Sequence, residues 1–168
     1  CPFDAMGHQP DLPKGPDLFL PERTNSKGWD LTHVPTLSAI EKGRAPFHKA
    51  SWTAAPMLAG KVDSGPVSDV RNPARPSDVV GTVQTATAKD AVTAIGSAKP
   101  WADDLTTRAG VLNAVADAYE ANAAELFVIL SREAGKGMPD VVAELREAVD
   151  FLRYCERAGI TAHQYSSA

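Results

Sequence analysis

Proline divides this chain into two stretches that cannot fold alike. Eleven of the thirteen prolines fall within residues 1–86, and only Pro100 and Pro139 lie beyond. Proline fixes φ and removes a backbone donor, so long regular helix is excluded from the first stretch and open to the second. Charge follows the same division. Residues 1–86 balance nine Lys/Arg against nine Asp/Glu, while residues 87–168 carry eight against twelve and so hold the whole formal net charge of −4. That balance argues against a nucleic-acid partner, which is met by a basic patch.

Within the first stretch, Pro2, Pro10, Pro13, Pro16 and Pro21 recur too closely for packed regular structure, and residues 1–30 read as an extended, mobile arm. A short helix is predicted from Pro35 to Lys42, closed by Gly43. Two strands follow between Lys61 and Ala86. Val67–Val70 alternates, Val79–Thr85 is rich in β-branched residues, and residues 72–78 hold turn-forming Asn, Pro, Ser and Asp. The expectation is a two-stranded antiparallel unit, too small to stand alone.

The second stretch predicts four helices. Thr87-x-x-Asp90 caps the first, which ends near Gly96 and Pro100. The second covers Leu105–Ala121, with Leu112, Val115 and Tyr119 recurring on one face and Val111 beside them. Asn122-x-x-Glu125 starts the third, whose apolar face is Leu126, Phe127 and Leu130; Gly135 stops it. Pro139 and Asp140 suit the first turn of the fourth. That helix runs to about Ala158 and buries Val141, Leu145, Ala148, Leu152 and Cys155. The fold class is therefore α/β: arm, hairpin, then about four amphipathic helices, divided as 1–60 and 61–168.

Few residues carry chemistry. Gly135-Lys136-Gly137 follows a helix and lacks the Ser/Thr of a phosphate-binding loop, so it reads as a helix stop. No Gly-x-Gly-x-x-Gly is present. His8, His33, His48 and His163 are isolated, and Cys1 and Cys155 form neither a disulfide framework nor a zinc site. Glu147 and Asp150, three apart, share a helix side with Phe151 and Tyr154. Such paired carboxylates either bind an amine or do acid–base work, or they form a solvated face balanced by Arg146 and Arg153. No apolar run reaches the ~20 residues of a membrane span, no secretory leader opens the chain, and a cytoplasmic setting is expected. The opening Cys1-Pro2 suggests an internal piece of a longer polypeptide.

From Val70 onward the chain resembles the aldehyde dehydrogenase superfamily. The residues are Val70-Arg71-Asn72-Pro73-Ala74, Val80-Gly81-Thr82-Val83, Trp101, Arg108-Ala109 with Leu112, and Glu133-Ala134-Gly135-Lys136. Glu144–Tyr154 (ELREAVDFLRY) is similar to the matching helix of the L-glutamate-γ-semialdehyde (pyrroline-5-carboxylate) dehydrogenases. Leu20–Leu31 (LPERTNSKGWDL) resembles the connector of the bacterial proline utilization A flavoenzymes, which join a proline dehydrogenase to that dehydrogenase. This implies an α/β fold, incomplete here, in an enzyme oxidising L-glutamate γ-semialdehyde with NAD, its partner domain using FAD. It implies a small-molecule substrate, the remaining polypeptide as partner, a homo-oligomer, and peripheral association with the inner membrane. It places Glu147 near the substrate's amine and Phe151 beside it as an apolar wall, leaves no catalytic residue in this stretch, and implies that the stretch alone is inactive. The alternative is a small helical protein-interaction module with a proline-rich arm; a reading frame that continues into a dehydrogenase core excludes it.

Overall fold

A computed structural model describes residues 13–59 and 65–166, with side chains through Glu156. Pro2, Pro10, Cys1 and His8 lie outside what is described, as do the side chain of His163 and the start of the predicted strand region near Lys61. The order of elements is α1 (Val34–Arg44), β1 (Trp52–Ala54), β2 (Val67–Asn72), β3 (Arg75–Gln84), α2 (Ala88–Ser97), α3 (Leu105–Ala121), α4 (Ala123–Glu133) and α5 (Met138–Ser166).

The core forms where α1, α4 and α5 meet. Ile40, Ala123, Phe127, Val141, Val142 and Leu145 are buried together, with Leu126, Leu130 and Met138 packed against them. Trp29 and Leu31 join this cluster, and the Trp29 ring meets Phe127 edge-on at 5.2 Å. Residues 13–31 are therefore not a free arm. They pack in a mostly non-helical path on the helices, with Asn25 and Ser26 buried. Proline forbids helix here but leaves the extended backbone free to lie in a groove and bond to side chains.

The hairpin is tighter than expected. β2 runs to Asn72 and β3 begins at Arg75, so Pro73 and Ala74 alone make the turn, and the Asn72 carboxamide oxygen accepts from the Ala74 N–H at 2.9 Å. A third strand, unexpected from sequence, joins it. β1 pairs parallel to β3 in register Trp52 with Gly81, giving the order β1-β3-β2. A Cβ on Gly81 would lie 2.0 Å from the Trp52 carbonyl oxygen, so only glycine permits this pairing.

The helix termini follow their sequence signals unevenly. Thr87 and Asp90 make a reciprocal capping box at α2. Gly135, at φ +67°, ends α4 in the left-handed conformation that glycine tolerates. Asn122 does not cap α4; its amide donates back to the Ala118 carbonyl at the end of α3. On α3 the buried residues are Ala109 and Ala116, small enough for close packing against α5. Of the face expected there, Val115 and Tyr119 are exposed and Leu112 is half-buried, and the neighbouring Val111 is exposed as well. The α5 stripe also shifts: Val141, Val142, Leu145 and Val149 are buried, Ala148 and Leu152 are half-buried, and Cys155 is exposed. Its backbone is helical to Ser166, beyond the expected end. None of the described helices is long and apolar enough to cross a membrane.

Arg132 ties the sheet to α4. Its Nε and Nη2 donate to Asp78 Oδ2 and Oδ1 at 3.2 and 2.7 Å, and Nη1 donates to the Ala50 carbonyl at 2.6 Å. Hydrogen bonds from Arg132 and then Asn72 pull the Asp78 pKa from 3.8 down to about 2. A depressed folded pKa contributes stability that is complete above the unfolded value and is lost as pH falls through the folded one. The gap in Tm between the chain and its Asp78→Asn variant should therefore be constant above about pH 5 and close as pH falls toward about 2.

Candidate functional site

One face of α5 gathers most of the polar chemistry. Glu147, Asp150, Phe151 and Tyr154 project from successive turns and, with Arg23, line an open groove of about 380 Å³. Helical spacing dictates the arrangement: positions three and four apart share a side, opposite the stripe of Val142, Leu145 and Val149. Phe151 and Tyr154 are each 59% exposed, so this wall is apolar yet accessible.

The two carboxylates differ in what they already hold. Asp150 Oδ1 accepts from the Ser26 N–H at 2.7 Å and from Arg23 Nη1 at 3.3 Å, and Oδ2 accepts from Ser26 Oγ at 2.8 Å. Arg146 Nε donates to the same Ser26 Oγ at 3.3 Å. Asp150 is thus an anchor for the incoming segment. Glu147 is exposed and makes no hydrogen bond or ion pair among the described residues. Of the pair seen in sequence, Glu147 is the one whose charge remains available to a ligand.

Below the groove the docked segment is clamped a second time. Arg153 is buried, which removes it from the solvated face that one reading of the sequence allowed. Its Nη2 donates to Asp117 Oδ1 at 2.9 Å and Glu120 Oε2 at 3.1 Å, and its Nη1 donates to the Asn25 carbonyl at 3.1 Å. Glu120 Oε1 accepts from the Lys27 N–H at 2.6 Å. Arg23 to Lys27 is therefore held by α3 and α5 together, one turn from Glu147. Elsewhere, Lys136 pairs with Glu144, which uses its charge locally. Among the described residues no group of three or more His, Cys, Asp or Glu converges as metal ligands would.

The sequence profile of the aldehyde dehydrogenase family matches residues 61–167. The chain belongs to that family. Bifunctional protein PutA of Escherichia coli (strain K12) is 38% identical over 150 residues, taking in 86% of this chain and 11% of that protein. The Klebsiella aerogenes protein of the same name is 40% identical over 152 residues, with the same shares. The chain therefore spans about a tenth of the length of these relatives. Among solved structures, a mutant of Thermus thermophilus 1-pyrroline-5-carboxylate dehydrogenase superposes with a TM-score of 0.71 at 26% identity, covering 80% of this chain and 27% of that one. Proline utilization A from Bdellovibrio bacteriovorus gives 0.76 at 23% identity over 94% of this chain and 17% of its own, a likeness of fold.

Within this aldehyde dehydrogenase segment, Glu147 and Phe151 line one groove. Sequence reasoning missed Arg23, Ser26 and Arg153. The only signal for the first two was the Arg23-x-Asn25-Ser26 string, whose partners lie some 124 residues away on α5.

Proposed function

We propose that this chain is a segment of an NAD-dependent dehydrogenase that oxidises L-glutamate γ-semialdehyde to L-glutamate, and that it supplies one wall of the substrate site. The observation that carries this reading is the Glu147 carboxylate, without a partner among the described residues, beside Phe151 in the α5 groove. An ammonium on the substrate complements Glu147, and its methylenes pack on Phe151. Support for the substrate class comes from relatives named as PutA and as pyrroline-5-carboxylate dehydrogenases.

Oxidation of the aldehyde to the acid removes two electrons and adds an oxygen from water. With NAD as the hydride acceptor and the product ionised to its carboxylate, two protons would be released. A Thermus pyrroline-5-carboxylate dehydrogenase with bound NAD is among the similar structures, at 26% identity. The residues of this chain include no Gly-x-Gly-x-x-Gly turn from which an NAD site could be argued. Their part is to bind and orient the aldehyde. Under the same proposal the remaining polypeptide provides the nucleophile and the NAD site, together with an FAD-dependent proline dehydrogenase. The whole assembles as a homo-oligomer in the cytoplasm, peripheral to the inner membrane.

The test is to express the complete reading frame and follow NADH at saturating NAD. Glutamate semialdehyde should be oxidised with kcat/KM at least about tenfold above butanal, as expected when one charged contact is made only by the amino acid. Equal efficiency on both would overturn the assignment of substrate.

A further inference from the structure

We infer that the outer faces of α2 and α3 are a docking surface for the polypeptide that completes this domain, so that α3 is an interior helix covered on both sides. The inference rests on the proposal above that the chain is a segment of a larger dehydrogenase. In the described structure α2 is amphipathic the wrong way round. It buries its capping residue Asp90 and turns the stripe Ala88, Ala91, Val92 and Ile95 outward. Val92 and Ile95 are 70% and 79% exposed. An uncharged stripe at three- and four-residue spacing is what a helix lays on a core, and here it meets solvent.

α3 repeats the pattern with larger side chains. Its alanines, Ala109 and Ala116, are the buried residues, and α5 is its main neighbour. Val111, Val115 and Tyr119 face away and stay 38% to 45% exposed. A helix that is apolar on both sides belongs between two layers. The described residues supply one of them. The three-stranded sheet packs on α4 and leaves the outer side of α3 uncovered. The Thermus dehydrogenase that superposes on this chain is matched over only 27% of its own length, so most of a domain of that kind lies outside the described residues. Tethering favours that remainder over a separate partner. A segment of the same polypeptide is held at high effective concentration beside these helices. It also keeps covered an apolar surface that a dissociating partner would leave open. The occupant is therefore a part of the dehydrogenase core that presents apolar side chains to Val92, Ile95, Val115 and Tyr119.

The experiment uses the complete enzyme and reads accessibility, not turnover. Hydroxyl-radical footprinting with peptide mass spectrometry compares Val92, Ile95, Val115 and Tyr119 in the native and the urea-unfolded protein. Each should be oxidised at least about fivefold more slowly in the native protein. The protection should persist when the enzyme is diluted until light scattering reports the monomer. Native rates close to the unfolded ones would overturn the inference. Protection that disappears on dissociation would overturn it too, because a second copy would then be the cover. Ile95→Lys and Val115→Lys give an independent reading. Each should lower Tm by at least about 5 °C while the oligomeric state at a fixed concentration is unchanged. An unchanged Tm would place these faces in solvent, and dissociation with an unchanged monomer Tm would assign them to a second copy; either result contradicts the inference. The footprint needs no variant, so a substitution that prevents folding does not remove the test. A substrate other than glutamate semialdehyde would defeat the function proposed above and leave both readings unaltered.

Discussion

Replacing Arg153 by methionine is expected to lower the stability of the chain by about 3 kcal/mol, the lower end of the range for breaking a buried ion pair. The side chain is only 8% exposed and holds three groups at once: Glu120, Asp117 and the Asn25 carbonyl. Burial opposes its charge, but the bonds it donates to Glu120 and Asp117 outweigh that and raise its pKa above the ordinary arginine value. Methionine fills the space of the aliphatic stem and removes the fork. Glu120, 20% exposed, is then left without its cation, and the Asn25 carbonyl loses its donor. Asp117, 71% exposed, rehydrates at little cost, which is why the effect stays at the low end. Arg153→Lys should recover part of the loss, since one ammonium satisfies fewer of these acceptors. Urea unfolding measures the change. Amide exchange at Ser26 and Lys27 should quicken in the same variant, because the segment they belong to is released first. A loss below about 1 kcal/mol would mean that the clamp acts as an exposed surface pair.

The local grammar of the chain is legible in its sequence, and the contacts between distant residues are not. The bounds of α3, the capping box of Thr87 and Asp90 and the glycine stop at Gly135 are all written as short-range signals. The buried face of α3 is not, because periodicity locates an apolar stripe without naming the surface that covers it. Here close helix packing selects Ala109 and Ala116 instead. β1 escapes sequence reasoning because three residues cannot display alternation, and its parallel pairing depends on Gly81 across a long gap. Residues 13–31 mislead because proline density reports the absence of helix, not of packing. What fixes that segment is Asp150 and Arg153, more than 120 residues on. In the groove, Glu147 and Phe151 are named by family resemblance. Spacing alone leaves Glu147 and Asp150 equivalent, and only their hydrogen bonds tell them apart.

The most direct measurement is kcat/KM of the complete enzyme carrying Glu147→Gln, on glutamate semialdehyde and on an aldehyde without an amine. The substitution keeps the shape of the side chain and removes its charge. Glu147 lies off the buried stripe and holds no protein partner among the described residues, so its loss should leave Tm unchanged. A charge-assisted contact with a desolvated ammonium contributes about 1.5–3 kcal/mol. The account therefore predicts a fall of about 10- to 100-fold in kcat/KM for glutamate semialdehyde and almost none for the simple aldehyde. An equal fall for both would make Glu147 a structural or general catalytic residue. No fall for either would return it to a solvated helix face and contradict the assignment of the α5 groove as a substrate site.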